Sequence, residues 1–139
     1  RDLRLLVVGR WGWGSAALRR RLNSQPGVLW VGALDGRDLE RAYCGASLLV
    51  YPSLYEGFGL PPLEAARVGV PSVVGPAKAL REVYAGAAFH SAADPASLAE
   101  TVAEALESPA PAGMEALAAG LTCRRMAREV MEVYSELLH

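Results

Sequence analysis

Apolar residues fall along the chain in two alternating patterns, short unbroken runs and helical spacings. Leu3 to Val8 is a short apolar run ending at Gly9, and Ser15 to Leu22 reads as a helix with Ser15 as its N-cap. A buried parallel strand followed by a crossover helix accounts for that pair. The alternation returns with Val28 to Val31 as strand and Arg37 to Tyr43 as helix, then with Ser47 to Tyr51 as strand and Pro62 to Val68 as helix. A further strand at Pro71 to Val74 leads to a short helix around Leu80 to Tyr84, and Ala87 to Phe89 reads as a last, short strand. The pattern predicts a doubly wound, parallel, Rossmann-like α/β sheet with flanking helices.

The remainder is helical. Asp94 or Ser97 caps a helix that runs through about Leu106, and the two prolines between Ser108 and Pro111 forbid its continuation. In the closing segment Met126, Val130, Val133 or Tyr134, and Leu137 recur at helical spacing, which predicts one apolar stripe laid on a partner surface. No repeat, low-complexity tract or linker interrupts the chain, so one compact domain over residues 1–139 is expected. The chain enters an apolar strand almost at once, as an excised fragment would.

Composition removes several function classes. The 139 residues are 52% hydrophobic and 21% charged, with a formal net charge of -1. That balance leaves no electrostatic footprint for nucleic acid. No apolar run approaches the roughly 20 residues of a membrane span, and no leader pattern precedes the first strand. Cys44 and Cys123 lie in no metal-binding or redox spacing, and reduced, buried thiols in a cytoplasmic protein are expected.

The chemistry concentrates in Tyr51-Pro-Ser-Leu-Tyr-Glu-Gly-Phe-Gly-Leu-Pro-Pro-Leu-Glu64, which follows a strand and opens a helix. Ligands of open parallel sheets bind beyond the carboxyl ends of the strands. Gly57 and Gly59 let the backbone turn and approach a ligand closely, so that their amides, with those of Phe58 and Leu60, can face an anion. Pro61 and Pro62 preset the first helical turn, and the free N–H groups expected on Leu63 and Glu64 add a positive dipole end suited to a diphosphate. A carboxylate aimed at a diphosphate would be repelled. Glu64 is therefore expected to turn sideways and accept from a vicinal diol such as that of ribose, while Glu56 does the same for a sugar hydroxyl.

The run Ser53 to Val74 resembles the signature of glycosyltransferase family 4, whose two glutamates are separated by seven residues, as Glu56 and Glu64 are. Val31 to Leu34, Ala79 to Val83 and Met126 to Leu138 are similar to further segments of that family. The resemblance implies one half of a GT-B enzyme, the C-terminal domain that binds the donor nucleotide sugar. It makes Glu56 a catalytic contact to the donor sugar, Gly57, Phe58, Gly59 and Leu60 backbone donors to sugar and diphosphate, and Glu64 the holder of the ribose. It also implies a retaining transfer of a hexosyl unit with no cofactor and no metal. The family's Arg and Lys pair, the strand segment before it and the N-terminal acceptor-binding domain have no counterpart in these residues, and Cys123 stands where relatives often have tryptophan. Transfer by this piece alone is therefore not expected.

Other residues carry weaker signals. Gly9-Arg-Trp-Gly-Trp-Gly14 has the order G-x-x-G-x-G and fails the dinucleotide fingerprint. Trp11 and Trp13 face a missing domain, cover the base or pack on the helix that follows, packing being favoured. Arg10, Lys78 and Arg81 are candidate cations for the diphosphate, with Lys78 the best placed, in a Gly-Pro-rich turn after a strand. Glu82 and His90 read as surface groups. A noncatalytic nucleotide-sugar sensor, or a hydrolase or epimerase of the same fold, remains an alternative to transfer. A paired-carboxylate glycosidase fits poorly, because one carboxylate at a helix start beside a phosphate cradle is not the arrangement that reaction needs.

Overall fold

The computed structural model describes residues 3–12 and 16–138. The expected cap Ser15, and Trp13 with it, lie outside the described residues. The chain divides into two compact units, Arg1–Ala42 and Tyr43–His139. Each is parallel α/β in construction.

In the first unit, β1 (Leu5–Val8) pairs in parallel with β2 (Val28–Gly32), Leu5 opposite Val28. Helix α1 (Ala16–Asn23) makes the crossover and packs on β2. Trp30 donates its indole N–H to the Gly9 carbonyl at 3.0 Å, Trp11 lies against Trp30 with ring centroids 4.9 Å apart, and the Arg19 guanidinium sits 5.7 Å above the Trp30 ring. Trp11 therefore packs on a strand tryptophan. The expectation of a buried first strand is corrected here, because Leu5, Leu6 and Val8 are exposed. A two-stranded sheet gives β1 one hydrogen-bonded edge, and its one described crossover helix packs on the neighbouring strand.

Helix α2 (Gly36–Gly45) starts where Asp35 accepts from the Asp38 amide at 3.0 Å, and it runs into the second unit at Tyr43. That unit holds a three-stranded parallel sheet in the order β3 (Leu49–Tyr51), β4 (Ser72–Val74), β5 (Phe89–His90). Leu49 pairs with Ser72, and Val73 with Phe89. Helix α3 (Leu60–Arg67) connects β3 to β4, and α4 (Lys78–Val83) connects β4 to β5. The central strand is wholly buried, as a strand covered on both faces must be. The core joins Leu63, Val74, Ala77, Leu80, Tyr84 and Ala88, with Tyr51, Phe58, Leu117 and Leu121 packed against it.

Three helices close the chain. Asp94, the first of the two expected caps, accepts from the Ser97 amide at 2.9 Å and starts α5 (Pro95–Glu107). Helix α6 (Met114–Gly120) packs on α3. Thr122 caps α7 (Cys123–Leu137) through the Arg125 amide. The expected stripe on α7 exists, but it faces solvent: Met126 is 62% exposed and Leu137 76%. Among the described residues nothing covers it. Both cysteines are free and exposed rather than buried, because Cys44 lies in the solvent-facing last turn of α2 and Cys123 opens the uncovered α7. No described helix is long and apolar enough to cross a membrane.

Candidate functional site

All of the Glu56 to Glu64 segment lies in the second unit, beyond the carboxyl end of β3. The strand stops at Tyr51, whose carbonyl accepts both from the Ser53 amide and from the Gly75 amide at 2.9 Å. The Ala77 amide then donates to the Ser53 carbonyl at 3.3 Å. These bonds clamp the exit of β3 onto the exit of β4. A Cβ on Gly75 would lie 2.5 Å from the Ser53 carbonyl oxygen and 2.6 Å from the Pro52 carbonyl carbon, so only glycine permits the approach. Sequence reasoning passed over Gly75. Its signal was the Gly-Pro pair that follows a strand.

From Glu56 the loop is pinned from below. The Phe58 ring packs on the core, and Gly59 takes φ +83° directly over Leu80, whose side chain a Cβ would strike. Tyr84, 1% exposed, donates its hydroxyl to the Gly59 carbonyl. Burial pushes the Tyr84 hydroxyl up to about 12, with the Leu63 amide acting the other way and the Glu64 charge adding to the rise. Gly57 differs, since its φ lies outside the positive region and a Cβ there would meet open space. Nothing in the fold requires glycine at Gly57. A ligand coming close to the backbone would.

Gly59 is the N-cap of α3, so the helix begins at Leu60 rather than at Pro61 or Pro62. That shift corrects the expected set of free amides. The N–H groups of the N-cap and of the first three helical positions lack an intrahelical partner, and Pro61 and Pro62 have none to offer, which leaves Gly59 and Leu60. The Leu63 and Glu64 amides, four and five positions after the N-cap, are claimed by the helix's own carbonyls. The amides left to an incoming anion are those of Gly57, Phe58, Gly59 and Leu60, in the loop and at the first helical residue.

Each glutamate is held by a tyrosine. Glu56 Oε1 accepts from the Tyr51 hydroxyl and lies 3.0 Å from Ser53 Oγ, which is also 3.1 Å from the Tyr55 carbonyl and has one proton to share between them. Glu64 Oε2 accepts from the Tyr43 hydroxyl at 2.9 Å. Among the described residues neither carboxylate forms an ion pair. Burial, then the hydrogen bond to Glu56, pushes the Tyr51 hydroxyl up to about 12, and burial followed by the bond to Glu64 raises Tyr43 as well. Tyr43 also feels Tyr51, and Tyr51 feels Tyr84. Two half-buried carboxylates and three phenols thus form one cluster around the glycine loop. Each carboxylate has one oxygen bonded to a phenol and the other left open, an arrangement suited to neutral hydroxyl donors.

The remaining candidates divide by position. Lys78 is the first residue of α4 and follows Ala77, whose amide holds the Ser53 carbonyl, so it stands beside the exit of β3 and is exposed. Arg81 and Glu82 are exposed on the same helix. Arg10 is exposed in the first unit, after β1. His90 Nε2 lies 3.1 Å from the Tyr84 carbonyl at the end of β5. No group of three or more His, Cys, Asp or Glu side chains is placed to hold a metal ion among the described residues.

A parallel α/β fold with a glycine–proline loop between two glutamates at the end of a strand is the feature that comparison with known proteins has to place. Residues 1–108 match the family described as glycosyl transferases group 1. The chain belongs to that family. It is 36% identical over 107 residues to the O-antigen chain mannosyltransferase B of Escherichia coli, an alignment covering 75% of this chain and 28% of that protein. It is 35% identical over 63 residues to the O-antigen chain mannosyltransferase RfbU of Salmonella typhimurium, covering 45% of this chain and 18% of that protein. Among solved structures it is similar to Anabaena Alr3699/HepE, crystallised in complex with UDP and glucose, with a TM-score of 0.79, 19% identity, and 96% of this chain and 40% of that one covered. Sucrose-phosphate synthase of Thermosynechococcus elongatus gives a TM-score of 0.73 at 26% identity, covering 97% of this chain and 38% of that one. The fold is that of the GT-B glycosyltransferases, and the chain spans well under half the length of these relatives.

Proposed function

We propose that this chain is the donor-binding domain of a retaining glycosyltransferase that moves a hexosyl unit from a nucleoside-diphosphate sugar to an acceptor held by a second, N-terminal domain. The observation that carries the reading is the pair Glu56 and Glu64, each oriented by a tyrosine, on either side of a glycine loop whose Gly57 the fold does not itself require. Glu64 accepts from the ribose hydroxyls. Glu56 accepts from a hydroxyl of the donor sugar and is the catalytic contact on this half of the site. The amides of Gly57, Phe58, Gly59 and Leu60 face the diphosphate, with Gly59 also supplying the turn, and Lys78 is its cation. Charge that develops on the leaving diphosphate is met by oriented amides and a side-chain cation, so no metal ion or cofactor enters the reading. The proposed compartment is the cytoplasm.

The named curated relatives are mannosyltransferases, and one structural neighbour was crystallised with UDP and glucose, so mannosyl and glucosyl nucleotides head the donor panel. The test is a transfer assay on the protein that carries this chain, with product anomers assigned by proton NMR. Glu56→Ala is expected to lower turnover by roughly 100-fold, as loss of a transition-state contact does. Full activity in that variant, or inversion at the anomeric carbon, would overturn the reading.

A further inference from the structure

The two glutamates are not alike in how they are held. Glu64 is reached by one phenol, Tyr43, which comes from α2 and lies 21 residues earlier in the chain. Glu56 is reached by two donors from its own segment, Tyr51 at the end of β3 and Ser53 in the turn that follows. In each case one carboxylate oxygen is tethered and the other is left open. A carboxylate on a flexible stem samples several rotamers, and a hydrogen bond to one oxygen selects the rotamer and thereby aims the other.

We propose that Tyr43 and Tyr51 are positioning residues with separate duties, Tyr43 aiming Glu64 at the nucleoside and Tyr51, with Ser53, aiming Glu56 at the transferred sugar. This rests on the function proposed above, and goes beyond it by splitting the site into two independently tethered halves. Three points on the structure carry it. Both phenols are neutral donors, so they orient the carboxylates without cancelling their charge, which an arginine or lysine would do. Neither glutamate has a second tether from the other's set, so each phenol can be removed without loosening the opposite carboxylate. Tyr43 stands on a different element from the glycine loop, whereas Tyr51 and Ser53 lead straight into it. Tyr43 therefore acts on Glu64 without reshaping the loop backbone.

The test uses the protein that carries this chain, with uridine and guanosine diphosphates as probes for the nucleotide half and the sugar nucleotide that supports transfer as donor. Tyr43→Phe is expected to weaken diphosphate binding by about five- to tenfold, the effect of one lost hydrogen bond. Tyr51→Phe should leave diphosphate binding within about twofold and lower kcat by about tenfold, a split that general loosening of the fold would not produce. In the Glu64→Ala background Tyr43→Phe should have no further effect, since its action runs through that carboxylate. Where a variant melts near the assay temperature, the ligand-induced rise in its Tm supplies the same comparison.

The proposal is overturned if Glu64→Ala weakens binding while Tyr43→Phe does not, if the two tyrosine variants change the same parameter, or if their effects add fully to those of the glutamate variants. Should Glu64→Ala itself leave diphosphate binding unchanged, the assignment of the nucleotide site fails first and the positioning roles fall with it.

Discussion

The buried hydroxyl of Tyr84 donates to the carbonyl of Gly59, tying the helix after β4 to the loop that separates the two glutamates. The bond crosses 25 residues of sequence and is closed from water. Removing the donor leaves a buried carbonyl unpaired. Tyr84→Phe is expected to lower stability by about 1–3 kcal/mol in urea unfolding. A change near zero would mean that the loop does not depend on this tether.

Gly57 and Gly59 should respond in opposite ways to the same substitution. Gly59→Ala forces a residue with a Cβ into the left-handed region, costing about 1–2 kcal/mol, and overpacks Leu80 at a further cost of about 1–3 kcal/mol. Gly57→Ala meets open space and should change stability by less than about 0.5 kcal/mol. The same Gly57→Ala should weaken nucleoside diphosphate binding by about tenfold, because its methyl group holds the ligand away from the backbone. Equal stability loss in the two variants, or unchanged binding in Gly57→Ala, would contradict the division.

Alkaline pH should unfold the cluster through its phenols. Tyr51 and Tyr84 are pushed up to about 12, and Tyr43 is raised too, against an ordinary value of 10.0. The folded state holds these protons more tightly than the unfolded chain does. Stability from this source is thus complete below pH 10 and is lost as pH rises through about 12. Phenolate absorbance should show three tyrosine equivalents still un-ionised at pH 11 in the folded protein. Full ionisation at pH 11 with the fold intact would show that these hydroxyls are not held as described.

Much of the second unit was legible because its signals are local. The apolar runs at β3 and β4 and the Asp94 cap each announce themselves within a few residues, and the Glu56 to Glu64 spacing is written in one segment. What depends on distant contacts was not legible. The tyrosine partners of the glutamates read as ordinary strand and helix residues, since nothing in sequence links Tyr43 to Glu64. Helix α3 begins one residue earlier than its prolines suggest, because the Gly59 turn is set by Leu80 and Tyr84, which come later in the chain. An apolar pattern also reports what a segment is able to bury, not what covers it. Leu5 and Leu6 of β1 and the stripe of α7 have the composition of buried faces and stand exposed.

The central claim is that the Glu56 to Glu64 segment is the nucleotide-sugar site of this chain. Amide-resolved NMR during titration with uridine and guanosine diphosphates tests it most directly, since it locates even the weak binding expected of half a site. The account predicts that the amides of Gly57, Phe58, Gly59 and Leu60 shift together in a saturable way, and that Glu64→Ala weakens the response by about 5- to 100-fold, the loss of a hydrogen-bonded diol. Shifts confined to residues away from this loop, or a response that Glu64→Ala leaves intact, would contradict it.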